Sequence, residues 1–284
     1  TVSEKERERE GEIYSCSSCQ AKHIARTAEQ ERFFVERRLR SDEVARAMRC
    51  GLYDEGCEKF SGLSKLKVLN LGFNHITDAC LVHLKDLVNL ESLNLDSCKI
   101  GDEGLLNIKG LLQLKSLELS DTEVGSNGLR HLSGLNNLQS INLSFSMVSD
   151  NGLRKLAGLT SLKSLNLDAR QITDAGISAL TTLTGLTHLD LFGARITDHG
   201  TNFFRHFKNL QSLEVCGGLI TDNGLTALVS LNVSNSRITN AGLHHLKPLK
   251  NLRSLSLEFC KVTATEIKKL QLAALPNLVN VRPE

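Results

Sequence analysis

The chain has 284 residues, enough for one or two domains, and its 40% hydrophobic residues can form a buried core. Its 34 Lys and Arg nearly balance its 32 Asp and Glu, and the net charge of +2 argues against non-specific binding to nucleic acid or to a membrane surface. Aromatic residues make up only 4%, which disfavours recognition of bases by stacking. No apolar run reaches the roughly 18 residues of a membrane span, and the charged first residues lack an apolar signal segment.

Residues 1–62 show no repeat and are predicted to form a charged N-terminal arm, partly helical or disordered. The segment from Ala21 to Arg49 has neither Gly nor Pro and places apolar residues among many charges, which favours one or two amphipathic helices. Because the ends of a repeat array need a polar cover, we expect this arm to cap the first repeat.

Four of the eight cysteines lie in this arm. Cys16 and Cys19 have the spacing of half a zinc site, whereas Cys50 and Cys57 are separated by six residues and make a poor second half. These four thiols are weak candidates for a metal site, and a redox or disulfide role and free thiols in a flexible arm are the alternatives. The other four cysteines, Cys80 among them, suggest no pair.

Residues 63–284 form a repeat with a period of 24 residues, and each unit reads LxxLxLxxxxITDxGLxxLxxL. The two leucines of LxL lie on one face of a short strand, because successive side chains alternate. Apolar residues then recur at three-residue steps, as at Leu153, Leu156 and Leu159, which favours a short α or 3₁₀ helix. The first leucines of successive units are Leu66, Leu90, Leu114, Leu138, Leu162, Leu186 and Leu210.

We therefore predict an α/β solenoid of about nine repeats, with a curved parallel sheet inside and short helices outside. The Asp of the ITD motif is expected to cap each helix, since its carboxylate can accept hydrogen bonds from the first amides. The large side chains of Phe204 and Phe207 fall in the helix core phase, and residues 276–281 are predicted to form a final strand.

The eighth strand comes 18 residues after the seventh, so six residues are missing near residues 222–228, where an outer helix belongs. Either this repeat crosses by an extended loop, or a longer segment of six residues plus whole repeats has been lost by splicing or engineering. The second alternative is favoured, because losing most of an outer helix would expose neighbouring leucines.

The ITDxGL motif, with Cys98 and Cys260 at corresponding turn positions, resembles the ribonuclease-inhibitor-like group of leucine-rich repeats. More narrowly, it is similar to the cysteine-containing repeats of F-box proteins and of related plant intracellular proteins. The resemblance covers residues 63–284 and implies a protein-binding scaffold, often the substrate-recognition subunit of a cullin-type ubiquitin ligase. An F-box is rich in Leu and Pro, and residues 1–62 depart from that pattern because they contain no Pro. Secreted proteins of this kind usually carry flanking disulfide caps, and none is recognised here, which favours the cytosol or nucleus.

No catalytic pattern is present in the sequence. It contains no GxSxG elbow, no phosphate-binding loop and no HExxH, and the glycines fall at the helix entry of each repeat. We therefore expect a protein that is not an enzyme and that uses neither a cofactor nor a small-molecule substrate.

The residues beside the strand leucines are expected to face the inner surface of the solenoid, which is polar, acidic and almost without Lys or Arg. Such a surface suits a protein partner that offers basic and apolar side chains, and neither nucleic acid nor a membrane is expected. Alternatively, Ser and Asn are simply small enough for a crowded sheet, or the chain is a structural subunit of a larger assembly. The candidate partner-binding residues are Phe73, Asp96, Glu118, Asp121, Phe145, Asp168, His188, Asp190, Phe192, Glu214, Glu258 and Phe259.

Overall fold

The structure, a computed structural model, describes residues 39–41, 43–167, 171–217, 219–224, 230–232, 234, 236–247 and 254–282. The described strands form one 12-stranded sheet in which neighbours follow the order of the chain. The first two strands are antiparallel, and every later neighbour is parallel. The strands are β1 (Leu39–Ser41), β2 (Val44–Arg46), β3 (Val68–Asn70), β4 (Ser92–Asn94), β5 (Ser116–Glu118), β6 (Ser140–Asn142), β7 (Ser164–Asn166), β8 (His188–Asp190), β9 (Ser212–Glu214), β10 (Ser230–Asn232), β11 (Ser254–Ser256) and β12 (Asn280–Arg282).

Short helices return the chain along the other side of each repeat. The α-helices are α1 (Asp54–Cys57), α2 (Asp78–Leu81), α3 (Asp150–Leu156), α4 (Asp174–Ala179), α5 (Asp198–Thr201) and α6 (Ala264–Ala273). The 3₁₀ helices are Glu58–Phe60, Val82–Leu84, Gly104–Ile108, Gly128–Leu132, Asn202–His206, Asp222–Gly224 and Gly242–Leu246. The predicted solenoid of parallel strands and short helices is therefore confirmed.

The core is one continuous layer of aliphatic side chains between the sheet and the helices. Adjacent strands pair with Leu69, Leu93 and Leu117 side by side, and these leucines are buried. Phe204 and Phe207 join the same core, as predicted, in place of smaller aliphatic residues. Since each repeat buries its apolar face only against its neighbours, the stability of the array depends on contacts between repeats.

The repeat begins earlier in the chain than residue 63. Strand β2 pairs in parallel with β3, and Ala45 lies beside Leu69, 24 residues later. Alanine replaces leucine at the core positions 45 and 47, so this first unit lacks the leucine signature. The amphipathic helix predicted as far as Arg49 is wrong over its last part, because β1 and β2 lie there. Residues 1–38, including Cys16 and Cys19, lie outside the described residues.

A disulfide between Cys57 and Cys80 connects α1 with α2, and their Cα atoms are 5.3 Å apart. The disulfide alternative left open for Cys57 is confirmed, whereas its weak candidacy as a metal ligand and the lack of a partner for Cys80 are corrected. Cys50 is buried and its thiol donates to the carbonyl of Met48. No metal-binding group of three or more residues occurs in the part of the chain that the structure describes. The cysteines therefore no longer support the expectation of a reducing compartment.

The shortened eighth repeat does not interrupt the sheet. Strand β10 pairs in parallel with both β9 and β11. On the helix side, the Asp222 carboxylate accepts hydrogen bonds from the Thr239 amide at 2.7 Å and from its hydroxyl at 2.5 Å. The Asp and Thr that form this contact are 23 residues apart in other repeats and 17 residues apart here. Residues 225–229 lie outside the described residues. A final strand is present as β12, but it begins at Asn280 and not at residue 276 as predicted.

The Asp of the ITD motif joins neighbouring repeats and does not cap its own helix. Thr173 is the N-cap of α4, and its hydroxyl oxygen accepts a hydrogen bond from the Ala175 amide at 3.3 Å. The carboxylate of Asp150, in the preceding repeat, accepts from the Thr173 amide at 2.8 Å and from its hydroxyl at 2.6 Å. Asp54, Asp174 and Asp198 make the same pair of bonds with the next repeat. The expectation of Asp caps was wrong, because the Thr or Ser before the Asp occupies the N-cap position in α2, α3, α4 and α5.

Candidate partner-binding face

Three columns of side chains cross the sheet on the side opposite the helices, and a row of turn residues runs beside them. We call this surface the sheet face. The first column contains Ser92, Ser116, Ser140, Ser164, His188 and Ser212. The second contains Asn70, Asn94, Glu118, Asn142, Asn166, Asp190, Glu214, Asn232 and Ser256. The third, two residues further along each unit, contains Gly72, Asp96, Ser120, Ser144, Phe192, Cys216, Ser234 and Glu258.

The turn residues after the third column have left-handed backbone conformations, and we call them the left-handed row. Its members among the described residues are Arg49, Phe73, Ser97, Asp121, Phe145, Gly193, Gly217 and Phe259. The sheet face therefore contains every predicted partner-binding residue except Asp168, which lies outside the described residues. The 24-residue period of the sequence predicts that these residues share one surface, provided that the repeats stack in register.

Many second-column side chains have a structural task. The Oδ1 atoms of Asn94, Asn142 and Asp190 accept hydrogen bonds from the amide two residues later at 2.9–3.0 Å. These bonds fix the bend that leads into the left-handed turn. These side chains therefore serve the fold as well as lining the sheet face. Glu118 bonds instead with Asn142 in the next strand.

The acidic side chains on the first half of the sheet face lie close enough to affect one another. Burial raises the pKa of the Glu118 carboxyl, the hydrogen bond from Asn142 opposes this, and the charge of Asp96 raises it further. One carboxylate oxygen of Asp96 accepts from the hydroxyls of Ser120 at 2.6 Å and Ser97 at 3.2 Å. A partly desolvated carboxylate beside another one favours the approach of a cation.

A second acidic group surrounds Cys216 on the other half of the sheet face. Burial is the largest cause that raises the pKa of the Cys216 thiol to about 11, and the carboxylates of Glu214, Glu258 and Asp190 and the ionised form of the Cys260 thiol act in the same direction. Burial also raises the pKa of Asp190, against the effect of the hydrogen bond from the Phe192 amide. At neutral pH the Cys216 thiol is therefore protonated and is a poor nucleophile.

The three phenylalanines of the left-handed row are exposed and occupy unusual backbone positions. Phe145 and Phe259 are 69% and 82% exposed, with φ values of 56° and 58°. Phe73 has a φ of 57°, and the guanidinium of Arg49 lies 4.3 Å from the centre of its ring. A left-handed backbone disfavours large side chains, so glycine would be the residue expected at these positions from stability alone.

Sequence reasoning missed the basic end of this surface. Arg46 pairs with Asn70 at the start of the second column, and Arg49 begins the left-handed row. Both arginines belong to the unit in which Ala45 and Ala47 replace leucines, so the repeat was not recognised there. The sheet face is therefore acidic along most of its length, with two arginines at its N-terminal edge.

Two sequence models of leucine-rich repeats match the chain, one at residues 56–100 and the other at residues 134–157. No curated protein sequence matches it significantly. Internalin C2 of Listeria monocytogenes is a similar solved structure, with 23% identity, a TM-score of 0.55 and coverage of 83% of this chain and 91% of that one. A leucine-rich-repeat protein of Leptospira interrogans shares 23% identity with a TM-score of 0.56, over 80% of this chain and 62% of the other. At these identities the similarity establishes the fold, and the ribonuclease-inhibitor-like subclass stays a prediction.

In the described part of the chain, no helix has both the length and the apolar character needed to span a membrane.

Proposed function

We propose that this leucine-rich-repeat protein is a non-catalytic scaffold that binds another protein through its sheet face. Leucine-rich-repeat folds generally mediate protein–protein interaction, and the family matches and structural neighbours support that general role. The observation that carries the proposal is the combination, on one surface, of partly buried carboxylates with exposed phenyl rings. A partner with a basic and partly apolar surface complements both features.

The exposed phenylalanines support a binding role because they do not serve the fold. A side chain held at positive φ costs on the order of 1 kcal/mol, and burial of the ring would have to offset that cost. The ring of Phe145 is largely exposed and gains little from burial within the chain. Aromatic anchors are instead a common source of affinity at the centre of protein interfaces.

The charge of the sheet face supports a basic partner. Glu118, Asp190 and Glu214 lie in one column, and burial raises the pKa of Glu118 and Asp190. Bringing a cationic group beside these carboxylates offsets their partial desolvation and also accelerates association. The second column offers no Lys or Arg between Asn70 and Ser256, so the attraction is not cancelled within the column.

Reversing two charges of the second column should abolish capture of the partner. The Glu118→Lys/Glu214→Lys variant changes the charge of the sheet face by four units, and like charges opposed across an interface cost several kcal/mol. Both side chains are partly exposed, so the fold should survive. The measurement is quantitative mass spectrometry of proteins captured by the tagged chain from native lysate.

The Glu58→Lys/Glu103→Lys variant is a matched control, since it makes the same change of charge at exposed residues of the helix side. It should capture the same proteins as the natural chain. If the Glu118→Lys/Glu214→Lys variant still captures them while its circular dichroism is unchanged, the sheet face is not the binding surface. Recovery of a cullin adaptor by the whole chain would instead favour the ubiquitin-ligase alternative.

Replacing Phe145 with Gly should separate binding from stability. Relief of the left-handed strain roughly offsets or exceeds the added chain entropy, so the free energy of unfolding should stay the same or rise by up to about 1 kcal/mol. Partner capture should fall about tenfold or more, as expected for loss of an aromatic anchor. Leu112→Ala removes another exposed apolar side chain, on the helix side, and should leave capture unchanged. Destabilisation of about 3 kcal/mol, typical of a buried Phe, would contradict this interpretation.

A further inference from the structure

The left-handed row contains a stretch without side chains. From Arg49 to Phe145, every described member of the row carries a side chain, whereas the next two described members are Gly193 and Gly217. Their backbones lie side by side: a Cβ placed on Gly217 would be 3.8 Å from the Cα of Gly193 and would meet no other described residue within 4 Å, its chain neighbours aside. We call this stretch, with the space above it, the glycine gap.

Aromatic side chains stand on the sheet face around the glycine gap. Phe192, in the third column immediately before Gly193, is 45% exposed. Phe259 resumes the left-handed row two units after Gly217 and is 82% exposed. The gap is therefore open to solvent above two glycine backbones, with the exposed ring of Phe192 directly before it in the chain.

Carboxylates converge on the same place. Cys216 lies in the third column directly before Gly217, and its thiol experiences the negative charges of Glu214, Glu258 and Asp190. Asp190 and Glu214 are neighbours in the second column. Negative charge is thus concentrated beside the one described stretch of the left-handed row that has room for an incoming side chain.

We propose that the glycine gap, together with Phe192, Asp190 and Glu214, receives an arginine side chain from an extended segment of the partner protein. This inference rests on the proposed function and specifies the group that the sheet face recognises. The methylene stem of the arginine would lie over the two glycine backbones. Its guanidinium would stack on the Phe192 ring and donate hydrogen bonds to the carboxylates.

Arginine fits this arrangement better than lysine. A guanidinium is planar, stacks on aromatic rings and presents several donors to carboxylates, whereas an ammonium is compact and strongly hydrated. Asp190 and Glu214 are both partly buried. A weakly hydrated guanidinium loses less hydration free energy than an ammonium when it approaches partly buried carboxylates. Arginine is also among the residues that most often dominate the affinity of an interface.

The test uses the whole protein labelled with ¹⁵N-glycine and a capped peptide, acetyl-Gly-Arg-Gly-Phe-Gly amide. Titration should shift the amide signals of Gly193 and Gly217 in a saturable manner. The same peptide with citrulline in place of arginine should bind about tenfold more weakly, which corresponds to the loss of one charge-assisted hydrogen bond. Equal affinity for the citrulline peptide, or no shift of the two glycine signals, would overturn the proposal.

Filling the gap supplies a second and independent test. Gly217→Phe should abolish peptide binding, and the chain already tolerates Phe at this backbone conformation at Phe73, Phe145 and Phe259. Ser97→Phe makes a similar change in the left-handed row away from the gap and should leave the affinity unchanged. Unaltered peptide binding by a folded Gly217→Phe variant would also overturn the proposal. If that variant fails to fold, the citrulline comparison still decides.

The two proposals can fail separately. If Phe145→Gly abolishes capture of the natural partner while Gly217→Phe does not, the sheet face binds the partner but the glycine gap receives no arginine. If the Glu118→Lys/Glu214→Lys variant also leaves capture unchanged, the proposed function is wrong as well.

Discussion

Replacing Asn74 with Ala should destabilise the first two units of the solenoid by about 3 kcal/mol, because two buried amides and two buried carbonyls would each lose a hydrogen bond. The Asn74 side chain is 4% exposed. Its Nδ2 atom donates to the carbonyls of Ala47 and Leu71, both at 2.7 Å. Its Oδ1 atom accepts from the amides of Cys50 at 2.9 Å and Leu52 at 3.0 Å. One amide side chain therefore joins the first unit to the second.

The Asn74→Asp variant tests the same contacts without changing the shape of the side chain. One carboxylate oxygen can still accept from the two amides, whereas the other would face two carbonyls and repel them. Its destabilisation should therefore be comparable with that of Asn74→Ala. Asn136→Ala, at an exposed residue, is the control and should change the free energy of unfolding by no more than about 0.5 kcal/mol.

Hydrogen exchange locates the effect, which a global unfolding midpoint would average over the array. In a solenoid, the loss of a contact between two units first releases the terminal unit. The amides of Cys50 and Leu52 should exchange much faster in the Asn74 variants, and amides in the middle repeats should be unaffected. Unchanged protection of these two amides would show that Asn74 is not the connection that the structure suggests.

The importance of Asn74 could have been read from the sequence with one further step. The phase of Cys98 was recognised, and 24 residues earlier stand Asn74 and then Cys50. The Cys98 thiol also donates to the carbonyl of Leu71, at 3.3 Å, so the position consistently carries a small polar group that satisfies buried carbonyls. Ala45 and Ala47 lack the leucine signal of the other units, so the sequence does not mark Cys50 as a member of this series. A repeat search based on apolar residues alone misses such a terminal unit.

The composition of the sheet face was predictable, but its local roles were not. Alternation along each strand and the 24-residue period are enough to place Glu118 and Glu214 on one surface. The period cannot show that Asn142 holds its own turn while Glu118 contacts the neighbouring strand, because that distinction depends on side-chain length and backbone direction. Nor does it show that Phe145 is held at positive φ, since glycine is the usual residue there.

The glycines of the ITDxGL motif illustrate a constraint between repeats. The sequence shows them at most helix entries, and the structure gives the reason: a Cβ on Gly176 would overlap the Asp150 carboxylate of the preceding repeat. That carboxylate accepts both hydrogen bonds from Thr173. Asp150, Thr173 and Gly176 therefore form one contact between repeats: Asp150 accepts both hydrogen bonds from Thr173, and Gly176 leaves the space that the Asp150 carboxylate needs.

Gly176→Ala should accordingly destabilise the protein by about 3 kcal/mol, through loss of charge-assisted hydrogen bonds between repeats. The added methyl would also lie 3.0 Å from the Leu153 side chain. Gly158→Ala is the matched control, since a Cβ there meets nothing within 4 Å. Because alanine restricts the unfolded chain more than glycine does, this control should be neutral or stabilising by up to about 1 kcal/mol. Chemical denaturation of both variants measures the two opposite effects.

A second substitution shows whether the carboxylate is the cause. Ser126 replaces Asp at the corresponding position and accepts from the Ser149 amide at 3.0 Å, and a Cβ on Gly152 would lie 3.0 Å from its Oγ. Asp150→Ser should therefore reduce the overlap with a methyl group on Gly176, from 2.4 Å towards the 3.0 Å seen at Gly152, while keeping a bond to Thr173. The Asp150→Ser/Gly176→Ala variant should be less destabilised than the sum of its single changes, by about 1–2 kcal/mol. Strict additivity would mean that Gly176 is required by its own helix, and that the contact with Asp150 is incidental.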